Sequence, residues 1–385
     1  MGELMRAALL VNANRFEIHD IPRDEPRPRD VRVRVQAVGI CGTDLHIASG
    51  EANYNRDSSG RAIPLTEEPQ ILGHEIAGVI EDVGADVHDL APGDQVVVDQ
   101  GRTCVSEGRS PLCEYCATGH SHQCEHYREH GIAGLPGGFA EYVTLPAVNA
   151  VRLEERRDPA AAALTEPLGC VIHSLDALVN TPARYELNAG EAGRRIRSIL
   201  VLGGGPAGLL FTQCLREMLG FDGTLIVSDP NPVKRVLAAR FGAETIDPSA
   251  TDLAAEVLER THGRRAELVV EATGAGAVFA AIPGVLRKQG TLLLYGHGHG
   301  GTELSVLNAV QFLEPRLLSP VGASGGHESD GRPTTYVRAA RAIGGGVVDV
   351  APMITHRYAS LDALPSAFVD ARQAAGYVKG VLTLE

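Results

Sequence analysis

The hydrophobic pattern changes period partway along the chain. Residues 31–35, Val-Arg-Val-Arg-Val, alternate with the two-residue period of a half-buried strand, and Gln95-Val-Val-Val98 follows the turn signal Pro92-Gly93-Asp94. Short extended segments broken by turn residues continue to about residue 150, which predicts a β-rich first part. A charged stretch at 154–158 then precedes Pro159 and a run of alanines, and residues 164–178 take helical spacing. From residue 196 apolar runs alternate with helical segments: strands at 199–202, 225–228, 267–270 and 291–295, helices at 206–219, 232–241 and one ending near Gly290. That alternation predicts a parallel sheet with helices on both faces. Past residue 310 the rhythm stops, and the tail carries short strands and one helix at 360–371. The expected organisation is a β-rich domain at 1–168, a doubly wound α/β domain at 169–312, and a segment at 313–385 that rejoins the first.

A chain of 385 residues is long enough to bury two separate cores. Its 48 acidic and 35 basic side chains leave a formal charge of −13, and no basic patch interrupts the acidic balance. Nucleic acid and anionic membrane surfaces are therefore not expected partners. No apolar run approaches the roughly 18 residues of a spanning segment, and no secretory leader is expected from the first residues. The cysteine count is odd, and Cys113, Cys116 and Cys124 have a spacing that suits a metal better than a disulfide framework, so a reducing cytoplasm is the expected compartment.

Gly203-Gly204-Gly205-Pro206-Ala207-Gly208 follows the apolar run 199–202 and opens a helix, which puts Gly203, Gly205 and Gly208 at the G-x-G-x-x-G positions. The first glycine makes the tight turn, the second lets backbone approach a pyrophosphate, and the third lets helix pack on strand. Asp229 ends the next strand, where a carboxylate would accept the adenosine ribose hydroxyls and repel a 2′-phosphate. NAD is thus expected over NADP. Lys234 and Arg235 nearby keep NADP in play, and the bland alternative has Asp229 merely capping the helix that starts at Pro232.

Two short motifs lie in the β-rich half: Cys41-Gly42-Thr43-Asp44-Leu45-His46 and Gly73-His74-Glu75. Together with the dinucleotide motif, Thr165-Glu166-Pro167-Leu168 and Met353-Ile-Thr-His-Arg357, they make the chain resemble the zinc-dependent medium-chain alcohol and polyol dehydrogenases. The likeness covers nearly the whole chain and is strongest to the sorbitol, glucose and threonine dehydrogenase branch. It implies a GroES-like catalytic domain beside a Rossmann domain, and a homodimer or homotetramer. It also implies a catalytic zinc held by Cys41 and His74, with Glu75 or Glu166 completing the shell directly or through water. Asp44 would orient His74 by accepting its second ring proton, and Thr43, the nicotinamide ribose and His46 would form a proton relay. Such a metal leaves one position open, where an alcohol oxygen becomes more acidic.

Cys113, Cys116 and Cys124 match the last three ligands of the family's structural zinc lobe, but Ser110 stands where the first is expected. Cys104, on a lengthened loop, is the expected fourth ligand; the alternatives are an empty lobe or a histidine among His120, His122, His126 and His130. Cys170 and Cys214 fall in apolar helical patterns and read as packing. Within that family Glu166 in place of a cysteine implies a sugar, polyol or cyclitol with a secondary hydroxyl, with threonine-like amino alcohols as the rival; the polar loop at 49–68, read either as a specificity loop or as a solvated one, would favour several hydroxyls. A zinc-free reductase lacks these motifs. A non-catalytic protein on the same fold is the reading from another class.

Overall fold

Val31, Val33 and Val35 all enter one core in the computed structural model of the chain, which describes residues 3–301 and 303–385. Their strand is the centre of the β-rich unit. In chain order that unit contains β1 (Leu4–Asn12), β2 (Arg15–Pro22), β3 (Asp30–Gly39), β4 (Glu75–Val83), β5 (Gln95–Val98), β6 (Gly101–Arg102), β7 (Arg128–His130), β8 (Gly134–Leu135), β9 (Tyr142–Pro146) and β10 (Ala150–Arg152). The second unit contributes β11 (Ser198–Leu202), β12 (Thr224–Ser228), β13 (Glu244–Ile246), β14 (Ala266–Glu271), β15 (Leu286–Leu294) and β16 (Arg316–Leu318). The chain then returns to the first unit with β17 (Ile354–Tyr358) and β18 (Lys379–Thr383).

The main sheet of the first unit runs β10-β5-β4-β3-β18-β17, with β9 also paired to β3. β3 meets β4, β9 and β18 antiparallel, so a strand from the end of the sequence lies beside the one that leads into Cys41. The second unit is a parallel sheet in the order β13-β12-β11-β14-β15-β16, the doubly wound arrangement that reverses between β11 and β14. β11 and β14 are buried along their whole length, as expected where helices cover both faces.

Several sequence expectations are corrected. Residues 286–290 are strand rather than the end of a helix: β15 begins at Leu286, and a register shift with Gln289 at φ +58° absorbs the extra length. The chain returns to the first unit at Ala323 instead of residue 313, and Val347–Met353 packs with the second unit. The helical stretch Pro159–Asn180 is long and apolar enough to resemble a membrane span, contrary to the reading of short apolar runs, yet 78% of its apolar window is buried inside the protein. It is a core helix.

Ile80 sits on β4 at 1% exposure inside the first core. Ile80→Ala is expected to cost roughly 3 kcal/mol of stability, read as a lower denaturant midpoint with an unchanged slope.

Candidate active site

Cys41 ends an extended segment and stands at the N-cap of the helix Gly42–Ser49. Asp44, in the first turn and fully buried, accepts the Cys41 N–H through Oδ2 at 2.9 Å. Its Oδ1 accepts the Gly73 N–H at 3.1 Å and lies 3.4 Å from His74 Nδ1. One carboxylate therefore ties the two motifs together. Gly73 turns with φ +88°, and a Cβ there would lie 2.8 Å from Phe139 and Val38, so only glycine fits. This turn delivers His74 and Glu75 to the start of β4.

Ligand atoms of Cys41, His74 and Glu75 all lie within 4.8 Å of one another. Glu75 Oε2 is buried without a hydrogen-bond partner, as an atom awaiting a further ligand would be, and His74 Nδ1 has only the loose approach of Asp44 as acceptor. Burial opposes the His74 cation, but Asp44 and Cys41 beside it prevail and raise its pKa well above that of an ordinary imidazole. The same two anions would favour a metal dication, which has to displace that proton to bind.

Lys379, on β18, was not singled out from the sequence. It is buried, and its Nζ donates to Glu75 Oε1 at 2.5 Å and to the Ile40 carbonyl at 2.9 Å. Gly39 makes room for the carboxylate, since a Cβ there would fall 1.8 Å from Glu75 Oε2. The only signal in the sequence is a lysine inside the apolar run Val378-Lys-Gly-Val-Leu382. Once a metal displaces the His74 proton, a Cys41 thiolate together with Asp44 and Glu75 would face the cation of Lys379 alone. A divalent metal balances that charge, and the donor set of sulfur, imidazole and carboxylate suits zinc.

Glu166 does not join this group. Its Oε1 accepts Gln100 Nε2 at 2.9 Å; the same amide donates to Glu129 at 3.1 Å, and its oxygen accepts the Tyr336 hydroxyl. Of the two carboxylates left open by the sequence, the structure brings Glu75 to Cys41 and His74. Thr43 Oγ1 lies 3.8 Å from Cys41 Sγ. The ring of His46 is partly exposed, its Nδ1 2.7 Å from Glu51 Oε2. The loop at 49–68 is internally bonded: Asp57 accepts from Ser59 and Arg61, and Asn53 donates to the Ile63 carbonyl.

The sulfurs of Cys104, Cys113, Cys116 and Cys124 form a second group within 4.8 Å of one another, with no disulfide between them. Backbone N–H donors at Cys116 and Glu125 pull the Cys113 thiol down to about 6, whereas burial pushes Cys116 and Cys124 up. The four-sulfur group contains no histidine: His122 pairs with Asp99 at 3.9 Å, and His130 Nδ1 lies 2.8 Å from the Pro136 carbonyl.

In the second unit Gly203 follows β11 at φ +99°. A Cβ on Gly208 would lie 1.9 Å from the Gly203 carbonyl, while nothing lies within 4 Å of one on Gly205, at the N-cap of the helix Pro206–Gln213. This is the cradle a pyrophosphate needs. Asp229 accepts Gly204 N–H through Oδ2 and Asn231 N–H through Oδ1, each at 2.8 Å. It is therefore braced at the strand end, and Asn231, not Asp229, caps the following helix. Lys234 flanks the cradle, its Cβ 3.2 Å from where a Gly204 Cβ would stand. Arg235 is paired with Asp247 at 2.9 Å.

Residues 27–155 match the family described as the alcohol dehydrogenase GroES-like domain, and residues 206–335 the one described as zinc-binding dehydrogenase. The chain is 31% identical over 350 residues to the L-threonine 3-dehydrogenase of Pyrococcus furiosus, covering 91% of this chain and 89% of that one. It is 28% identical over 365 residues to the L-galactonate-5-dehydrogenase of Escherichia coli, covering 94% of each. Among solved structures, a protein of Sinorhizobium meliloti described as a zinc-binding dehydrogenase, bound to NADP, superposes with a TM-score of 0.79 at 29% identity and 99% coverage of both chains. The chain belongs to the zinc-dependent medium-chain alcohol and polyol dehydrogenase family and is an oxidoreductase of that family.

Asp44→Asn keeps the shape of the staple and removes its charge. It is expected to lower the free energy of unfolding by about 1–3 kcal/mol in a denaturant titration and to reduce bound metal by elemental analysis. Cys104→Ser is expected to remove about one equivalent of metal and to lower Tm, whereas Ser110→Ala should do neither.

Proposed function

We propose that the protein is a zinc-dependent, NAD-linked dehydrogenase that interconverts a secondary hydroxyl of a sugar, polyol or cyclitol with the ketone. The observation that carries this reading is the convergence of Cys41, His74 and Glu75, with Lys379 as internal counter-charge. When bound there, zinc would make a substrate hydroxyl more acidic, and a bound nicotinamide would accept the hydride from the carbon. The chain supplies the rest. Asp44 and Lys379 hold the ligand side chains in place, and apolar residues such as Phe139 and Val38 pack behind the His74 turn. Thr43 offers a hydroxyl next to Cys41 for positioning the substrate oxygen and passing its proton. His46 can pass that proton on to solvent: it is partly exposed and held at Nδ1 by Glu51, which leaves Nε2 for the transfer.

The braced carboxylate of Asp229 supports NAD, because it offers acceptors to ribose hydroxyls and repels a 2′-phosphate, and because Asp247 neutralises the neighbouring Arg235. The similarity to an L-threonine 3-dehydrogenase supports a second substrate reading, oxidation of an amino alcohol at its secondary hydroxyl. Exposed Leu304, Phe312, Leu317 and Val321 in the second unit support a homo-oligomer, and the clustering of four thiols at metal-ligand distance rather than in disulfides suits a reducing compartment such as the cytoplasm.

The deciding experiment is nicotinamide reduction across polyols, aldoses, cyclitols and threonine, with NAD and with NADP, on protein of known metal content. Turnover of a polyhydroxy substrate with NAD supports the reading, turnover of threonine alone selects the second, and activity that survives complete metal removal overturns both. Cys41→Ser is expected to reduce kcat by roughly a thousandfold or more while leaving NAD affinity within about twofold. Asp229→Ala should narrow the preference for NAD over NADP at least about tenfold.

A further inference from the structure

Glu271 ends β14 with its carboxylate fully buried, and among the described residues no lysine or arginine pairs with it. Oε1 accepts the Thr273 N–H at 2.8 Å, the Gly274 N–H at 3.2 Å and the Thr273 hydroxyl. Oε2 lies 2.8 Å from His299 Nε2 and 3.2 Å from the Gly274 nitrogen. The Glu271 carbonyl accepts the Tyr295 and Gly296 N–H groups, and the His299 N–H returns to the Gly274 carbonyl at 2.6 Å. One acid thus binds the loop after β14 to the glycine-rich loop after β15. Every partner of its carboxylate is a neutral donor except His299, which is 28% exposed and packs edge-on to Phe279.

These loops adjoin the dinucleotide cradle. A Cβ on Gly203 would lie 2.7 Å from Thr273 Cγ2, and the Ala272 N–H donates to the Leu202 carbonyl at 2.9 Å. Asp229 follows β12, on one side of β11, whereas Glu271 ends β14 and His299 follows β15 on the other. In a sheet of this order a dinucleotide lies across the carboxyl ends at the reversal point. If Asp229 marks the adenosine half, Glu271 and His299 mark the nicotinamide half.

We propose that the Glu271–His299 pair is an electrostatic selector for the redox state of the cofactor, its buried negative charge favouring the cationic oxidised ring over the neutral reduced one. The inference rests on the nicotinamide reading given above. A carboxylate shielded from water acts over a longer distance than an exposed one, and its charge distinguishes two ligands that differ chiefly by one positive charge. His299 holds the carboxylate in place and, while neutral, leaves its charge uncancelled.

The test is to measure Kd for NAD+ and NADH separately, by calorimetry or fluorescence on the metal-loaded protein, with every variant at the same pH. Glu271→Gln is expected to weaken NAD+ relative to NADH by about five- to tenfold. His299→Lys, which places a permanent cation beside the acid and carries the test if Glu271→Gln does not fold, should shift the ratio in the same direction. His299→Gln, which keeps a neutral donor, should leave it within about twofold. A ratio unmoved in both charge-changing variants overturns the proposal, as does equal loss of both ligands, which would mark a purely structural strut. Wild-type protein that binds neither ligand would instead overturn the nicotinamide reading, and this proposal with it.

Discussion

The first unit is organised around a single carboxylate. Asp44 is fully buried, and its oxygens take up one N–H from Cys41 and one from Gly73, groups that would otherwise be left without partners at a helix start and a tight turn. Between them runs the polar loop at 49–68, free to vary without disturbing its own ends. The pairing of β3 with β4 as far as Gly39 and Glu75 brings the two segments side by side, and the acid fixes the turn that follows one and precedes the other. The adjoining glycines serve the same geometry by absence: Gly73 leaves space for Phe139, and Gly39 leaves space for Glu75.

Such an arrangement is costly as it stands, because buried acids destabilise a protein unless they are balanced. Lys379 offsets one negative charge, and a dication would offset the remainder. Stability and metal affinity are therefore two views of one charge balance. The second unit solves a related problem differently: Glu271 is satisfied by neutral N–H and O–H donors and one imidazole, which leaves its charge available to act on a ligand.

Much of this was legible in the sequence, for identifiable reasons. The alternation at 31–35 and the solid apolar runs of β11 and β14 reflect one-sided and two-sided burial, which period and composition report directly. Gly203 and Gly208 are readable because a positive φ at one and a close approach of the Gly203 carbonyl to the other admit little else, and Gly205 because a pyrophosphate needs the open space beside it. The different surroundings of Glu75 and Glu166 were not readable, since both are acids at matching motif positions; Glu75 lies beside Cys41 and His74, while Glu166 is met by Gln100, which in turn meets Tyr336 from a distant part of the chain. Lys379 stayed hidden for the same reason: nothing local to β18 announces that it lies beside Glu75. The misplaced start of β15 has a local cause, an extended segment carrying Arg287, Lys288 and Gln289 that lacks the apolar period of a strand.

The ammonium that neutralises Glu75 belongs to the final strand of the sequence. During synthesis Cys41, His74 and Glu75 all emerge long before it, so a partly made chain holds an uncompensated acid where its core should close. Trimming the tail back past residue 379 would leave every ligand present and the grip on the ion unsupported. Presence of β18 is thus a condition of the centre's charge balance, although none of the ligands lies on it.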